Sequence, residues 1–273
     1  MSNADSSTVL RTPERSDPLY VASVGKAFRV LEAFRHTITD LSLMEISDLT
    51  GLDKSTAQRF THTLCQLGYL QRDDRTRRLR LGKPVLDLSF YYLRSNALIE
   101  RATPALVELR NICGERANLS LYDDTTTIYV VRQQAKREYF DSSLIGRRVP
   151  VFCTAGGRAI LAQLSDADAE AILKRSILEP RTIRTIVDPA MIMEKVREAR
   201  RNGYGLAVEE TALGELTVGA AVLDESDRPI AAVHIAASTS DWTVESFRER
   251  FSPLVMETAQ SLSRSQQRLA HRT

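Results

Sequence analysis

Lys54, Ser55, Gln58, Arg59 and His62 fall on one face of a helical repeat, and Ala57, Phe60, Leu64 and Leu67 form an apolar stripe on the other. The polar set carries chemistry that suits base edges: an amide matches adenine and a guanidinium matches guanine. A polar face alone is also what any solvated helix shows. A second cluster separates the two readings. Arg72, Arg75, Arg77, Arg78 and Arg80 crowd one short stretch, in which Leu79 and Leu81 alternate with Arg78 and Arg80. One side of that stretch packs while the other presents guanidinium forks, whose geometry matches phosphate oxygens.

The neighbouring residues supply the elements that hold these groups. Ser42 with Glu45 three residues later is a capping box that starts a short helix, on which Leu43, Ile46 and Leu49 recur. Gly51 in Thr50-Gly51-Leu52 ends it, since a left-handed backbone is cheap only for glycine, and Asp53 caps the helix that follows. Tyr69–Arg72 and Arg77–Leu81 flank the polar turn Asp73-Asp74-Arg75-Thr76 as a hairpin. Val24, Ala27, Val30, Leu31 and Phe34 predict an earlier amphipathic helix that completes a three-helix core. Together these elements are a winged helix-turn-helix. Lys54, Ser55, Thr56, Gln58, Arg59 and His62 then face a major groove, while Arg72, Arg75, Arg77 and Arg78 hold the backbone.

At 273 residues the chain has room for two ordinary domains. Its composition, 43% hydrophobic and 26% charged, is that of a soluble globular protein, and its net charge of only +2 concentrates the basic character in the wing. That asymmetry fits one module that touches nucleic acid joined to one that does not. Cys65, Cys113 and Cys153 show neither a disulfide framework nor zinc-ligand spacing. No cofactor or metal is expected. Without a long apolar run or a signal-peptide pattern, the expected location is cytoplasmic, with no membrane partner.

The expected organisation is a flexible tail over 1–18, the winged helix over 19–82, a linker helix over 83–97 and a second domain over 98–273. In the second domain a helix from Leu98 to Cys113 ends at Gly114. Strands follow around Leu119 and Leu121 and over Thr127–Gln134, with Glu138–Ser143 able to pair with the latter. Helices over Ala155–Leu164, Asp166–Arg175 and Pro189–Asn202 precede strands at Tyr204–Glu209, Leu216–Leu223 and Pro229–Ala237. A last helix from about Thr243 contains Pro253, a potential kink, and Trp242 is expected to anchor it. The predicted fold class is α+β with a mainly antiparallel sheet.

Two features of that domain could bind a ligand. Thr154 can cap a helix whose first turn holds Gly156 and Gly157, after Arg147-Arg148-Val149-Pro150 and Cys153. Exposed N–H groups there would attract a small carboxylate; equally, the glycines could allow close packing on the sheet. Arg147 and Arg148 can clamp an anion or simply be solvated. His234 shares a strand face with Ala232 and Ala236, and Thr217, Gly219 and Ala221 form a similar small-residue face. A cavity between sheet and helix would unite these features; a core histidine bonded to backbone is the other reading. Asn118 and Ser120, which alternate with Leu119 and Leu121, join the candidate site. Glu209 and Glu210 are adjacent on a strand and point to opposite faces, which favours structural roles over an acid/base pair.

Three stretches, EISDLTGLDKSTAQRF with TLCQLGYL, then GRRVPVFCTAGGRAILAQL, then NGYG with EETALG, resemble the IclR family of bacterial transcription regulators in order and spacing. The resemblance runs from about Val21 to the last helix. It implies an N-terminal winged helix, a linker helix and a GAF-like C-terminal domain that binds a small effector, in homodimers or homotetramers acting on palindromic operator DNA. It also implies a recognition helix over Asp53–Leu67 and an effector pocket that includes Thr154, Ala155, Gly156, Thr217, His234 and Ala236. The chain departs from the family pattern at Arg158, where members often carry Lys, and near Thr217, Ala221 and His234. DLSFYYLRS and TLCQLGYL look like the branch that controls aromatic-acid catabolism.

The reading that follows is a ligand-responsive regulator, not an enzyme, with a small carboxylate as effector and an aromatic acid as a candidate. A rival is an enzyme with an appended DNA-binding domain, in which Cys153 near a helix start is an activated thiolate. A constitutive architectural DNA binder is the third.

Overall fold

The computed structural model describes residues 18–36, 39–135 and 145–270. The expected tail and the Glu138–Ser143 pairing fall wholly or largely outside those residues. The chain separates between Ser95 and Asn96 into two compact units.

The first unit holds α1 (Ala22–Glu32), a 3-10 turn (Ala33–His36), α2 (Leu43–Thr50), α3 (Lys54–Gln66), β1 (Leu70–Arg72), β2 (Leu79–Leu81) and α4 (Pro84–Ser95). The predicted caps form. Ser42 Oγ accepts from Glu45 N at 3.2 Å while Glu45 Oε2 accepts from Ser42 N at 2.6 Å. Gly51 ends α2 in the left-handed region at φ 64°, and Asp53 Oδ1 accepts from Thr56 N at 2.9 Å. Val30, Ile46, Ala57, Leu64, Leu70 and Leu79 fill the core.

The stripe differs in detail from expectation. On α3 the buried positions are Ala57, Thr61 and Leu64, whereas Leu67 is exposed. At 3.6 residues per turn Leu67 stands roughly 80° away from Ala57. Thr61 fits the buried row because its hydroxyl donates to Gln58 O at 3.1 Å. Val24, Leu49 and Leu81, also expected to pack, are exposed.

The second unit begins with α5 (Ala97–Cys113), ended by Gly114 at φ 77°. Its sheet contains β3 (Arg116–Asp123), β4 (Thr126–Gln133), β5 (Arg148–Pro150), β6 (Gly205–Val208), β7 (Glu215–Leu223) and β8 (Pro229–Ser238). All neighbours are antiparallel, in the order β5-β4-β3-β8-β7-β6. The strand found against β4 is β5, in a stretch read from sequence only as a pair of arginines.

Helices α6 (Ala155–Leu161), α7 (Asp166–Arg175) and α8 (Pro189–Asn202) connect β5 to β6, and α9 (Val244–Ala270) follows β8. Phe247, Phe251, Val255 and Leu262 of α9 are buried. Trp242 does anchor this helix: its ring meets Phe251 edge-on at 4.8 Å and its Nε1 donates to Glu115 Oε1 at 2.9 Å.

Candidate functional site

In the first unit Lys54, Ser55, Gln58, Arg59 and His62 are all exposed, with Thr56 half-buried, so α3 presents one continuous polar face. The hairpin beside it closes through Asp73, whose Oδ1 accepts from the N–H groups of Arg75 at 3.1 Å and Thr76 at 2.7 Å. Arg77 adopts a left-handed φ of 59°, and an isolated antiparallel bridge from Leu41 to Leu79 ties the wing to the residues before α2. Arg75, Arg77 and Arg80 are exposed and Arg72 is half-buried.

Arg78 departs from its expected role. Its Nε donates to Asp40 O at 2.9 Å, and its NH2 reaches both oxygens of Glu45 at 3.0 and 2.7 Å. Its guanidinium fastens the wing to the N-terminus of α2 instead of standing ready for phosphate. The Ser42 backbone N–H, its hydroxyl and then Arg78 pull the Glu45 carboxyl down to about 2, so this junction stays ionised at neutral pH.

In the second unit a cavity of about 180 Å³ lies over one face of the sheet. Register places Gly205, Gly219, His234, Asn118 and Arg132 in one cross-strand row. Ala207, Thr217, Ala236 and Arg116 form the next row on the same face. The small-residue end of the first row lies under the start of α6. A Cβ on Gly219 would come 2.8 Å from Gly156 N, and one on Gly156 would come 3.0 Å from the Ala232 methyl. Gly157 N instead donates to Thr154 Oγ1 at 3.1 Å, and Thr154 Oγ1 donates to Pro150 O at 2.9 Å. The glycines therefore serve close packing, and the proposed cradle of exposed N–H groups is not formed by them.

Thr154, Ala155, Asn118, Thr217, His234 and Ala236 line the cavity. Gly156 and Gly219 sit beneath it, in the packing of α6 on the sheet. Ser120 acts through His234: its Oγ lies 2.9 Å from Nε2 of the imidazole. Burial pushes His234 down to about 4, so the ring is neutral at physiological pH, and it stacks on Tyr129 with centroids 5.3 Å apart.

The lining also contains residues the sequence reading did not assign: Arg116, Tyr129, Arg132, Arg181 and Glu215. Arg116 lies two residues from Asn118 on the same strand face, so alternation could have found it. Tyr129 and Arg132 could not be found that way. A bulge pairs Leu119 with Val131 but Ser120 with Tyr129, and this slip turns both Tyr129 and Arg132 to the cavity. Of the two arginines before α6, Arg147 lines the cavity, whereas Arg148 pairs with Asp123 at 2.6 Å and Thr126 Oγ1 at 2.8 Å.

Behind the cavity Arg158, only 1% exposed, forms a buried fork with Glu210. Its Nε and NH1 also donate to Phe152 O at 3.1 Å and Leu206 O at 3.0 Å, while Glu210 Oε2 accepts from Ile186 N at 3.1 Å. Glu209 turns the other way and accepts from Gly214 N at 2.8 Å, so the adjacent glutamates are both structural. Cys153 is buried, and desolvation pushes its thiol up to about 12, the opposite of an activated thiolate. Among the described residues no helix is long and apolar enough to cross a membrane.

Residues 23–74 match the family model for the IclR helix-turn-helix domain, and residues 90–264 match that for the C-terminal domain of bacterial transcriptional regulator IclR. The chain is 29% identical over 247 residues to the Pca regulon regulatory protein of Pseudomonas putida, covering 90% of this chain and 84% of that protein. It is 29% identical over 245 residues to the HTH-type transcriptional regulator XynR of Escherichia coli, covering 89% and 97%. Among solved structures, a putative transcriptional regulator from Rhodococcus superposes with a TM-score of 0.75 at 28% identity, covering 92% of this chain and all of that one. An IclR homolog from Microbacterium hydrocarbonoxydans, complexed with 4-hydroxybenzoate, shares the fold at a TM-score of 0.72 and 20% identity, covering 90% and 99%. With both family domains matched in order over most of its length, the chain belongs to the IclR family, a ligand-responsive transcriptional regulator with a helix-turn-helix DNA-binding domain.

Proposed function

We propose that this regulator senses a small carboxylate in the cavity over its sheet and reads operator DNA with α3. The observation that carries the ligand class is the lining itself: it holds the guanidinium groups of Arg116, Arg132, Arg147 and Arg181 against a single carboxylate, Glu215, which pairs with Arg116. Guanidinium forks recognise carboxylates. An aromatic acid is the first ligand to try, since a protein of the same fold is complexed with 4-hydroxybenzoate and a 29%-identical relative is named for the Pca regulon. Thermal-shift screening of aromatic and aliphatic carboxylates tests this reading. A hit that raises the unfolding temperature and changes operator affinity is expected, and no stabilising acid in the panel would overturn it.

On the DNA side, the wing arginines Arg72, Arg75 and Arg77 set affinity through phosphates while Arg59 and Gln58 select bases. Arg59→Ala is expected to narrow the gap between selected and random duplexes by about 1–3 kcal/mol. Fluorescence anisotropy on a duplex enriched from a random pool measures it; equal loss on both DNAs rules out base reading by Arg59.

The boundaries 19–82, 83–97 and 98–273 serve as working domain limits, with α4 as the linker. Its Leu86, Leu88, Phe90, Tyr91 and Tyr92 are all exposed, an apolar surface that a second copy of the chain would cover in a homodimer. Two copies on one palindrome give each α3 a half-site.

A further inference from the structure

The stretch 177–188, between α7 and α8, forms no helix or strand, yet it carries Arg181 into the lining of the cavity. The other lining residues come from the strands, the start of α6 and the residues beside β5 and β7. No strand ladder or helix fixes Arg181; two threonine hydroxyls hold its turn instead. The Thr185 hydroxyl accepts from Arg181 N at 3.0 Å and Thr182 N at 2.8 Å, and donates to Glu210 O at 2.7 Å. The Thr182 hydroxyl accepts from Arg184 N at 3.0 Å and donates to Glu209 O at 2.6 Å. A hydroxyl has one proton and two lone pairs, so each threonine closes the turn on itself and ties it to the chain after β6 with one atom. Glu209, which presents the first of those carbonyls, holds a left-handed φ of 55°, and such a backbone persists only where its surroundings fix it. The far end of the turn is pinned as well: Ile186 N donates at 3.1 Å to the Glu210 carboxylate that Arg158 grips at 2.7 Å.

We infer that residues 181–186 form a strap across the cavity wall, in which Thr182 and Thr185 are positioning residues that set effector affinity by holding Arg181 in place. The inference rests on the carboxylate reading above. Neither threonine lines the cavity, so both act through Arg181. A guanidinium on a loose loop must be ordered by each ligand it meets, and that ordering subtracts from affinity. The strap orders it before the ligand arrives. Valine in place of either threonine keeps the side-chain volume but removes both the donor and the acceptor, which frees the turn from Glu209 and Glu210.

Hydrogen exchange and isothermal titration on the full chain test this, with benzoate, 4-hydroxybenzoate, acetate and glycolate as probes. In the ligand-free chain the amides of 181–186 are expected to exchange about tenfold faster in Thr185→Val than in the unmodified protein, while α6 and β7 keep their protection. Unchanged exchange would show that the hydroxyl does not hold the strap, and overturns the inference. For the probe that binds tightest, Thr185→Val should weaken binding about five- to tenfold, and Thr185→Ser, which keeps the hydroxyl, should bind as the unmodified chain does. In an Arg181→Gln background the same Thr185→Val change should weaken binding about twofold or less, because the group it positions is gone. A turn that serves only the fold would lose as much in both backgrounds. That outcome overturns the inference, as does an Arg181→Gln chain that binds every probe as tightly as the unmodified one. Thr182→Val runs the same cycle from the other hydroxyl, so misfolding of one variant leaves the test intact. Binding of none of the four acids to the unmodified chain overturns the carboxylate reading and the role of Arg181 with it, an outcome distinct from binding that ignores Thr185.

Discussion

Arg78 and His234 show how much a residue's role depends on what its neighbours leave open. Both are polar groups that the sequence offers for binding, yet Arg78 is consumed by Glu45 and Asp40 within the fold. Each phosphate contact contributes about 0.9 to the slope of log affinity against log salt. Salt-titrated binding should therefore lose about that much slope in Arg75→Ala and in Arg77→Ala. In Arg78→Ala the slope should stay unchanged while the first unit melts earlier, and an equal flattening would return Arg78 to the phosphate contacts. His234 is buried neutral, with a folded value near 4 against an ordinary 6.5. Its unfolded form takes up a proton first as pH falls, so stability is full above 6.5 and declines toward 4. The loss across that window is roughly 3 kcal/mol. Denaturant unfolding at pH 7 and pH 4 should show a smaller difference in His234→Gln than in the unmodified chain.

At the scale of elements, α6 is held by two different devices. Its face toward the sheet approaches through Gly219 and Gly205, where a side chain would collide with the backbone of α6, and through Gly156, where one would press on the Ala232 methyl. Its far side is tied by the Arg158–Glu210 fork, which also reaches Phe152, Leu206 and Ile186. That fork links the strand-to-helix turn, β6 and the segment before α8. Arg158→Met should cost about 3–5 kcal/mol, because it strands the Glu210 charge in the interior. Adding Glu210→Leu should recover much of the loss, and denaturant unfolding of the single and double variants gives the coupling. Additive losses would mean that the two side chains act independently.

At the scale of the whole molecule, the surface of α4 has no buried residue, and Leu86 and Tyr91 are 70% and 69% exposed. A patch of that kind is expected to close the dimer proposed above. Leu86→Glu with Tyr91→Glu should shift sedimentation from dimer to monomer and weaken operator binding, while leaving titration of the effector cavity unchanged. A dimer that persists would place the contact between copies elsewhere.

The caps, the turn at Gly51, the polar face of α3, the alternation within β3, β7 and β8 and the family motifs are all local in sequence, and each was legible there. Helical and strand periods and capping chemistry act over a few residues, so a linear reading captures them. The winged helix and the α+β class follow from those signals. Tertiary structure decided what depends on distant pairing. The bulge opposite Ser120 swings Tyr129 and Arg132 into the cavity, and the approach of α6 uses Gly156 as a spacer against Gly219 instead of an amide donor. Glu45 claims Arg78 across 33 positions, and Glu210 claims Arg158 across 52. Charged and polar groups on a strand or hairpin face look alike until the fold shows which are already satisfied.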